Sequence, residues 1–245
     1  MSTTAPTDLR HLAAQGTSLL GDLADELSGT YEGRVELARR ALTWADGAFG
    51  AGLTVASSMG DEVLVHLVGT TLTDTDVFFL DTGYHFVETL GTRDAMDAML
   101  PLRIRTILPR LSVSEQDAEH GPNLHDRDPN LCCAMRKVEP LNRALADRDA
   151  WVTGMRREDA PTRTDIDVVG WDERRGMVKI NPLAGWSHDD VERFATQEAV
   201  LLNPLRRSGY TSIGCAPCTR PVAEGEDPRS GRWSGQDKTE CGLHT

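Results

Sequence analysis

The sequence predicts an α/β fold with a mostly parallel sheet flanked by helices, and three observations carry that prediction. Short apolar runs recur, each closed by a small or polar turn: Leu53-Thr54-Val55-Ala56 before Ser57-Ser58-Met59-Gly60, and Val77-Phe78-Phe79-Leu80 before Asp81-Thr82-Gly83. Between the runs, apolar residues recur three and four apart, which is the helical period. The 245 residues are 39% apolar and 26% charged, enough for a buried core of domain size.

The elements follow in order. Residues 17–46 read as helical, with Leu19, Leu20, Leu23 and Leu27 and then Val35, Ala38 and Leu42 on one spacing. Leu53–Ala56 is the first strand, and Asp61 opens a helix through Val63–Val68. Val77–Leu80 is the second strand, a helix covers Phe86 to Leu100, and Leu102–Ile107 is the third strand. Trp151–Gly154 and Val178–Ile180 read as short strands, and Ser187-His188-Asp189-Asp190 caps a helix reaching Gln197. Parallel sheets bind ligands beyond the carboxyl ends of their strands, so the Ser57–Gly60 and Asp81–Gly83 turns are the candidate positions. The first can offer N–H groups and hydroxyls to a phosphate, and the second can hold a ribose or a base edge. Each is also, taken alone, an ordinary turn. From Thr219 onward Pro and Gly interrupt a charged, apolar-poor tail, so 1–218 is read as the α/β domain and 219–245 as a mobile arm.

Charge and hydropathy narrow the function. The chain carries 26 Lys+Arg against 38 Asp+Glu, a net of −12, which disfavours nucleic acid as a partner. No apolar run approaches the roughly 18 residues a membrane helix needs, and Met1–Arg10 lacks an apolar signal-peptide centre. The expectation is a cytoplasmic protein with no membrane partner.

Five cysteines carry the most information: 132, 133, 215, 218 and 241. Two adjacent thiolates cannot easily take neighbouring corners of one tetrahedral zinc, whereas a multi-iron cluster can use one on each iron. Cys132-Cys133 with Cys215-Ala216-Pro217-Cys218 therefore favours an iron–sulfur cluster over zinc, with four metal-free buried cysteines as the alternative. Arg136, Lys137, Arg156, Arg157, Arg163 and Arg220 gather around these cysteines in the sequence, and Arg206 and Arg207 read as a solvated face. Lys137 can serve an anionic cluster and an anionic substrate together. Cys241, with Lys238 and His244 nearby, reads as a reactive thiol whose thiolate is the nucleophile.

These motifs resemble, in order, those of assimilatory adenylyl-sulfate reductases, within the phosphoadenylyl-sulfate reductase family. The resemblance rests on Phe79-Leu80-Asp81-Thr82-Gly83-Tyr84-His85-Phe86, on Cys132-Cys133-Ala134-Met135-Arg136-Lys137-Val138-Glu139-Pro140-Leu141 and on Trp151-Val152-Thr153-Gly154-Met155-Arg156-Arg157. Ile180-Asn181-Pro182-Leu183, Gly214-Cys215-Ala216-Pro217-Cys218-Thr219-Arg220-Pro221, Gly231-Arg232-Trp233 and Glu240-Cys241-Gly242-Leu243-His244 complete it. It implies an adenine-nucleotide α-hydrolase-like fold related to ATP pyrophosphatases. It also implies reduction of adenosine 5′-phosphosulfate (APS) to sulfite and AMP, through S-sulfocysteine on Cys241, with thioredoxin or a glutaredoxin-like protein as reductant. By the same carry-over, Cys132, Cys133, Cys215 and Cys218 hold one 4Fe–4S cluster, and Lys137, Arg229, Arg232 and His244 contact the phosphosulfate. Ser57, Ser58 and the Leu80, Asp81, Thr82, Gly83 turn hold the nucleotide, with Arg163 carried over although Ala160-Pro161-Thr162-Arg163 is one residue shorter than the family spacing. The family's habit implies a homo-oligomer.

Two departures stand out. Ser57-Ser58-Met59-Gly60-Asp61 is not the Ser-Gly-Gly-x-Asp-Ser loop of ATP pyrophosphatases, so ATP cleavage is not expected. The first fifty residues match nothing diagnostic and read as helical packing. The rival readings are a reductase of the 3′-phosphorylated substrate (PAPS) or of both, a tRNA sulfur transferase on the same fold, and a non-enzymatic iron–sulfur redox sensor.

Overall fold

A computed structural model describes residues 6–223, 225–234, 238 and 242–243. The amino-terminal region is two helices, α1 (Pro6–Leu27) and α2 (Tyr31–Phe49). The single helical stretch expected over 17–46 therefore begins earlier and breaks at Ser28-Gly29-Thr30. The Thr30 hydroxyl accepts the Gly33 N–H at 3.0 Å and starts the second helix, so a capping residue overrides a continuous apolar period.

Beyond α2 the chain alternates strand and helix: β1 (Leu53–Ser57), α3 (Glu62–Thr71), β2 (Thr75–Leu80), α4 (Val87–Met99), β3 (Leu102–Ile107). A helical excursion follows, α5 (Val113–His120), α6 (Leu124–Arg127), α7 (Pro129–Cys133) and α8 (Glu139–Leu145). Ala134–Val138 joins α7 to α8 as one π-helical turn. The chain then adds β4 (Ala150–Val152), β5 (Val169–Asp172), β6 (Met177–Ile180) and α9 (His188–Gln197). Ser187 caps α9 with the reciprocal Ser187–Asp190 box that the sequence indicates.

The six strands lie in the order β3-β2-β1-β4-β6-β5, parallel throughout except for β5 against β6. Strand β5 and the helices α5–α8 are elements the sequence did not show; for β5, four residues containing Gly170 carry little alternation. Side chains alternate across the sheet. Val55, Val77, Phe79, Val152, Val178 and Ile180 join the large core under α1–α4 and α9. Phe78, Trp151 and Met177 face the other way and meet Leu141 and Leu145 of α8.

The stretch read as an arm folds back at 219–223 and 225–234. Thr219 bridges Arg232, the Arg220 N–H donates to the Gly231 carbonyl at 2.9 Å, and the Trp233 N–H donates to the Cys218 carbonyl at 3.0 Å. Trp233 is buried, a core contribution that the apolar-poor texture of the segment hid. Among the described residues, no helix is long and apolar enough to cross a membrane.

Candidate active site

The turn after β1 is held by its own carboxylate. The Ser57 hydroxyl donates to Asp61 Oδ1 at 2.6 Å and the Ser58 N–H to the same oxygen at 3.1 Å, while the Met59 N–H donates to Ser57 Oγ. Met59 is fully buried with φ +54°, an uncommon left-handed conformation for a side-chain-bearing residue. Burial pushes the Asp61 carboxyl up to about 6 from 3.8, against the opposing pull of the Ser57 bond. Two donors that the sequence reading offered to a phosphate are thus engaged by Asp61.

Beneath this turn, Glu62 is wholly shielded and pairs with Arg206 at 2.7 Å, and Arg206 also donates to the Gly60 carbonyl at 3.0 Å. The expectation that Arg206 belongs to a solvated face is corrected: its side chain is only 17% exposed and pairs with the fully buried Glu62. Asn203 completes the support, its N–H donating to Glu62 at 2.9 Å and its amide to Thr89 Oγ1 at 3.1 Å.

After β2, Asp81 Oδ1 accepts the Gly83 N–H at 2.9 Å, closing a turn in which Gly83 takes φ +74°. A Cβ there would stand 3.0 Å from the Arg136 guanidinium. Thr82 is buried, and its hydroxyl lies 3.2 Å from Cys215 Sγ. His85 Nε2 sits 2.9 Å from the Leu80 carbonyl and so carries the proton, which leaves Nδ1 buried without a hydrogen-bond partner. Burial also holds this imidazole below its ordinary range.

Cys132 and Cys133 end α7, and the π-helical turn that follows presents Arg136 and Lys137. Arg136 is buried, donates to the Thr82 carbonyl and to Gln116 Oε1 at 3.0 Å, and stacks on Tyr84. Cys132, Cys133, Cys215 and Cys218 are in no disulfide and line one small cavity with Thr82, Tyr84, His125 and Lys137. Burial, then the neighbouring Cys133, Cys215 and Cys218, push the Cys132 thiol up to about 12; burial and Cys215 push Cys218 up to about 11. Among the described residues, no three Cys, His, Asp or Glu side chains converge as ligands of one ion do. Four thiols around a common cavity, three of them buried, fit a cationic centre that is larger than one ion and neutralises them together.

A larger cavity of about 310 Å³ opens beside the cysteines at the carboxyl ends of the strands. Of the residues expected to touch substrate, Ser57, Ser58, Leu80, Thr82, Lys137, Arg163, Arg229 and Arg232 line it. Asp81 and Gly83 do not; their roles are to close the turn. Cys241 and His244 lie outside the described residues. Lys137 lines both cavities, so it stands between the thiols and the larger space. Arg232 lies flat against Gly214, where a Cβ would run into its guanidinium, and packs over Trp233 at 4.6 Å.

The basic residues that gather near the cysteines in the sequence separate in space. Arg156 and Arg163 line the larger cavity and share Asp159, at 2.7 and 3.4 Å. Arg220 pairs instead with the exposed Glu226. The sequence reading missed Asp61, His85, Asp159 and Arg206 as site residues. The first two lie within motifs already named, whereas Arg206 enters only through long-range packing.

Comparison with known proteins agrees with this geometry. Residues 52–221 match the phosphoadenosine phosphosulfate reductase domain. A protein of Streptomyces coelicolor named adenosine 5′-phosphosulfate reductase is 58% identical over 203 residues, covering 83% of this chain and 86% of that one. One of the same name from Mycolicibacterium smegmatis is 47% identical, covering 100% of this chain and 98% of the other. A phosphoadenylyl-sulfate reductase from Candida auris, solved as a phosphate complex, superposes with a TM-score of 0.65 at 30% identity, over 80% of this chain and 95% of that one. A Candida glabrata FMN adenylyltransferase shares the fold alone, with a TM-score of 0.56 at 15% identity over 96% of this chain and 85% of that one. Sheet order, paired cysteines and ordered motifs place this chain in the phosphoadenosine phosphosulfate reductase family.

Proposed function

We infer that this chain reduces adenosine 5′-phosphosulfate to sulfite and AMP in sulfate assimilation. The observation that carries the reading is Lys137, which lines both the four-thiol cavity and the larger cavity with Arg229 and Arg232. A phosphosulfate is negative at both ends and repels a thiolate until cations neutralise it. Lys137, Arg229 and Arg232 stand where such a group can lie, with His244 assigned to the same task. The nucleotide then rests against the ends of β1 and β2 at Ser57, Ser58, Leu80 and Thr82, with Arg163 lining the same cavity.

In the first step the Cys241 thiolate attacks the sulfur of the sulfuryl group; the S–Sγ bond forms, the bond from sulfur to the phosphate oxygen breaks, and AMP leaves as its anion. In the second step a thiolate of a thioredoxin-like protein attacks Cys241 Sγ and expels sulfite. Its second thiol resolves the mixed disulfide and returns Cys241 as a thiolate, so the reductant's dithiol supplies both electrons. Cys132, Cys133, Cys215 and Cys218 would hold a 4Fe–4S cluster, which would supply fixed charge beside Lys137. The chain's own residues bind, neutralise and orient.

The test is mass spectrometry after incubation with APS and no reductant. A sulfonate adduct on the peptide containing Cys241, and no sulfite from Cys241→Ser, are the expected results; full turnover by Cys241→Ser would refute the assignment. A kcat/KM as high for the 3′-phosphorylated substrate as for APS would move the reading to the rival substrate.

A further inference from the structure

We propose that Arg175 is a positioning residue that anchors the carboxyl-terminal segment at Leu243, a residue that lines the larger cavity two positions beyond Cys241 in the sequence. This rests on the reading of Cys241 as the nucleophile, and it names what keeps that segment in place. Arg175 sits in the turn between β5 and β6, and each of its guanidinium nitrogens has a separate acceptor. Nη1 meets Asp172 at 2.9 Å, Nε meets Asn142 of α8 at 3.2 Å, and Nη2 donates to the Leu243 carbonyl at 3.0 Å. Arg175 and Asp172 are each only 8% exposed in their side chains, so the guanidinium has little choice of partner. Its plane lies over Trp151 at 5.3 Å, which fixes the fork in the direction of the tail.

The Leu243 side chain has its own seat. It packs against the apolar cluster of Trp151, Met177 and Leu141 on the α8 face of the sheet, and it also lines the larger cavity. Backbone and side chain are thus held by different forces at one point, two residues beyond Cys241 in the sequence. On the other side of Cys241, Lys238 donates to Asn130 on α7, the helix that ends in Cys132 and Cys133. The described residues flanking Cys241 are therefore tied to two different walls, one beside the cysteines and one beside the β5–β6 turn. An anchor two residues from a nucleophile sets its reach, and misplacement by about 1 Å costs on the order of 10²-fold in rate.

The experiment uses the full chain with its cluster. Arg175→Met keeps the packing on Trp151 and removes the donor to Leu243, and Leu243→Ala empties the apolar seat without altering the domain. In both variants, hydrogen exchange at Gly242 and Leu243 and iodoacetamide labelling of the Cys241 peptide should accelerate by roughly 5-fold or more. Single-turnover formation of the Cys241 sulfonate should slow by about 10-fold or more. In Arg175→Met the visible absorbance and the Kd for AMP should stay at wild-type values, and Arg175→Lys should restore part of the rate. Wild-type exchange and labelling in both variants would overturn the anchor. Sulfite formation by Cys241→Ser would overturn the nucleophile instead, while the exchange data would still report the anchor.

Discussion

The Arg206 guanidinium and the Glu62 carboxylate meet at 2.7 Å directly beneath the β1 turn, with Glu62 wholly shielded from solvent. Arg206 comes from a segment 144 residues away, so the pair locks the loop after α9 to the floor of the site. Removing either partner leaves a charge buried alone. Arg206→Ala should therefore lose about 3–5 kcal/mol, read as a lower denaturant midpoint at unchanged slope. Glu62→Leu combined with Arg206→Met should recover most of that loss, since the uncompensated charge is then gone. A wild-type midpoint for Arg206→Ala would show that the pair contributes nothing.

Asp61 gives the site a pH dependence. The folded protein holds this carboxyl's proton up to about pH 6, whereas an aspartate with its ordinary value of 3.8 releases it earlier. The native state thus binds more protons between those values. The contribution is complete below 3.8 and declines as pH rises through 6, by roughly 3 kcal/mol at most. Comparing denaturation midpoints at pH 4 and pH 7.5, Asp61→Asn should show a smaller fall than the wild type. Equal slopes in the two proteins would remove Asp61 as the cause.

Lys137 and the cysteines are separable. Lys137→Ala should keep the visible absorbance while single-turnover sulfonate formation drops about 10²–10³-fold, the scale for losing one positioned electrostatic contact. Cys218→Ser should lose iron and inorganic sulfide together. Iron content equal to wild type in Cys218→Ser, or zinc without sulfide in anaerobically prepared protein, would sink the cluster assignment.

Gly83 is required by backbone geometry as well as by space. With φ at +74° and the Arg136 guanidinium 3.0 Å from a would-be Cβ, Gly83→Ala should cost on the order of 1–3 kcal/mol. It should also displace Arg136, the residue that ties the β2 turn to the cysteine helix through the Thr82 carbonyl. A melting temperature equal to wild type would contradict both effects.

Local chemistry was readable from the chain itself. Third strand Leu102–Ile107 and the Ser187 cap of α9 stand where the period and the capping pattern put them, because each depends on residues a few positions apart. The same holds for the site residues within motifs: Ser57, Leu80, Thr82 and Lys137 sit at strand ends or beside the paired cysteines, and they share a cavity. What the sequence concealed are relations between distant segments. Edge strand β5, the burial of Trp233 and the pairings of Arg206 with Glu62 and Arg175 with the Leu243 carbonyl have no local signature. An arginine reads the same in sequence on a wet surface as beside a buried carboxylate. Only the folded chain brings its partner within 3 Å and takes the water away, and that desolvation decides which charges build the site.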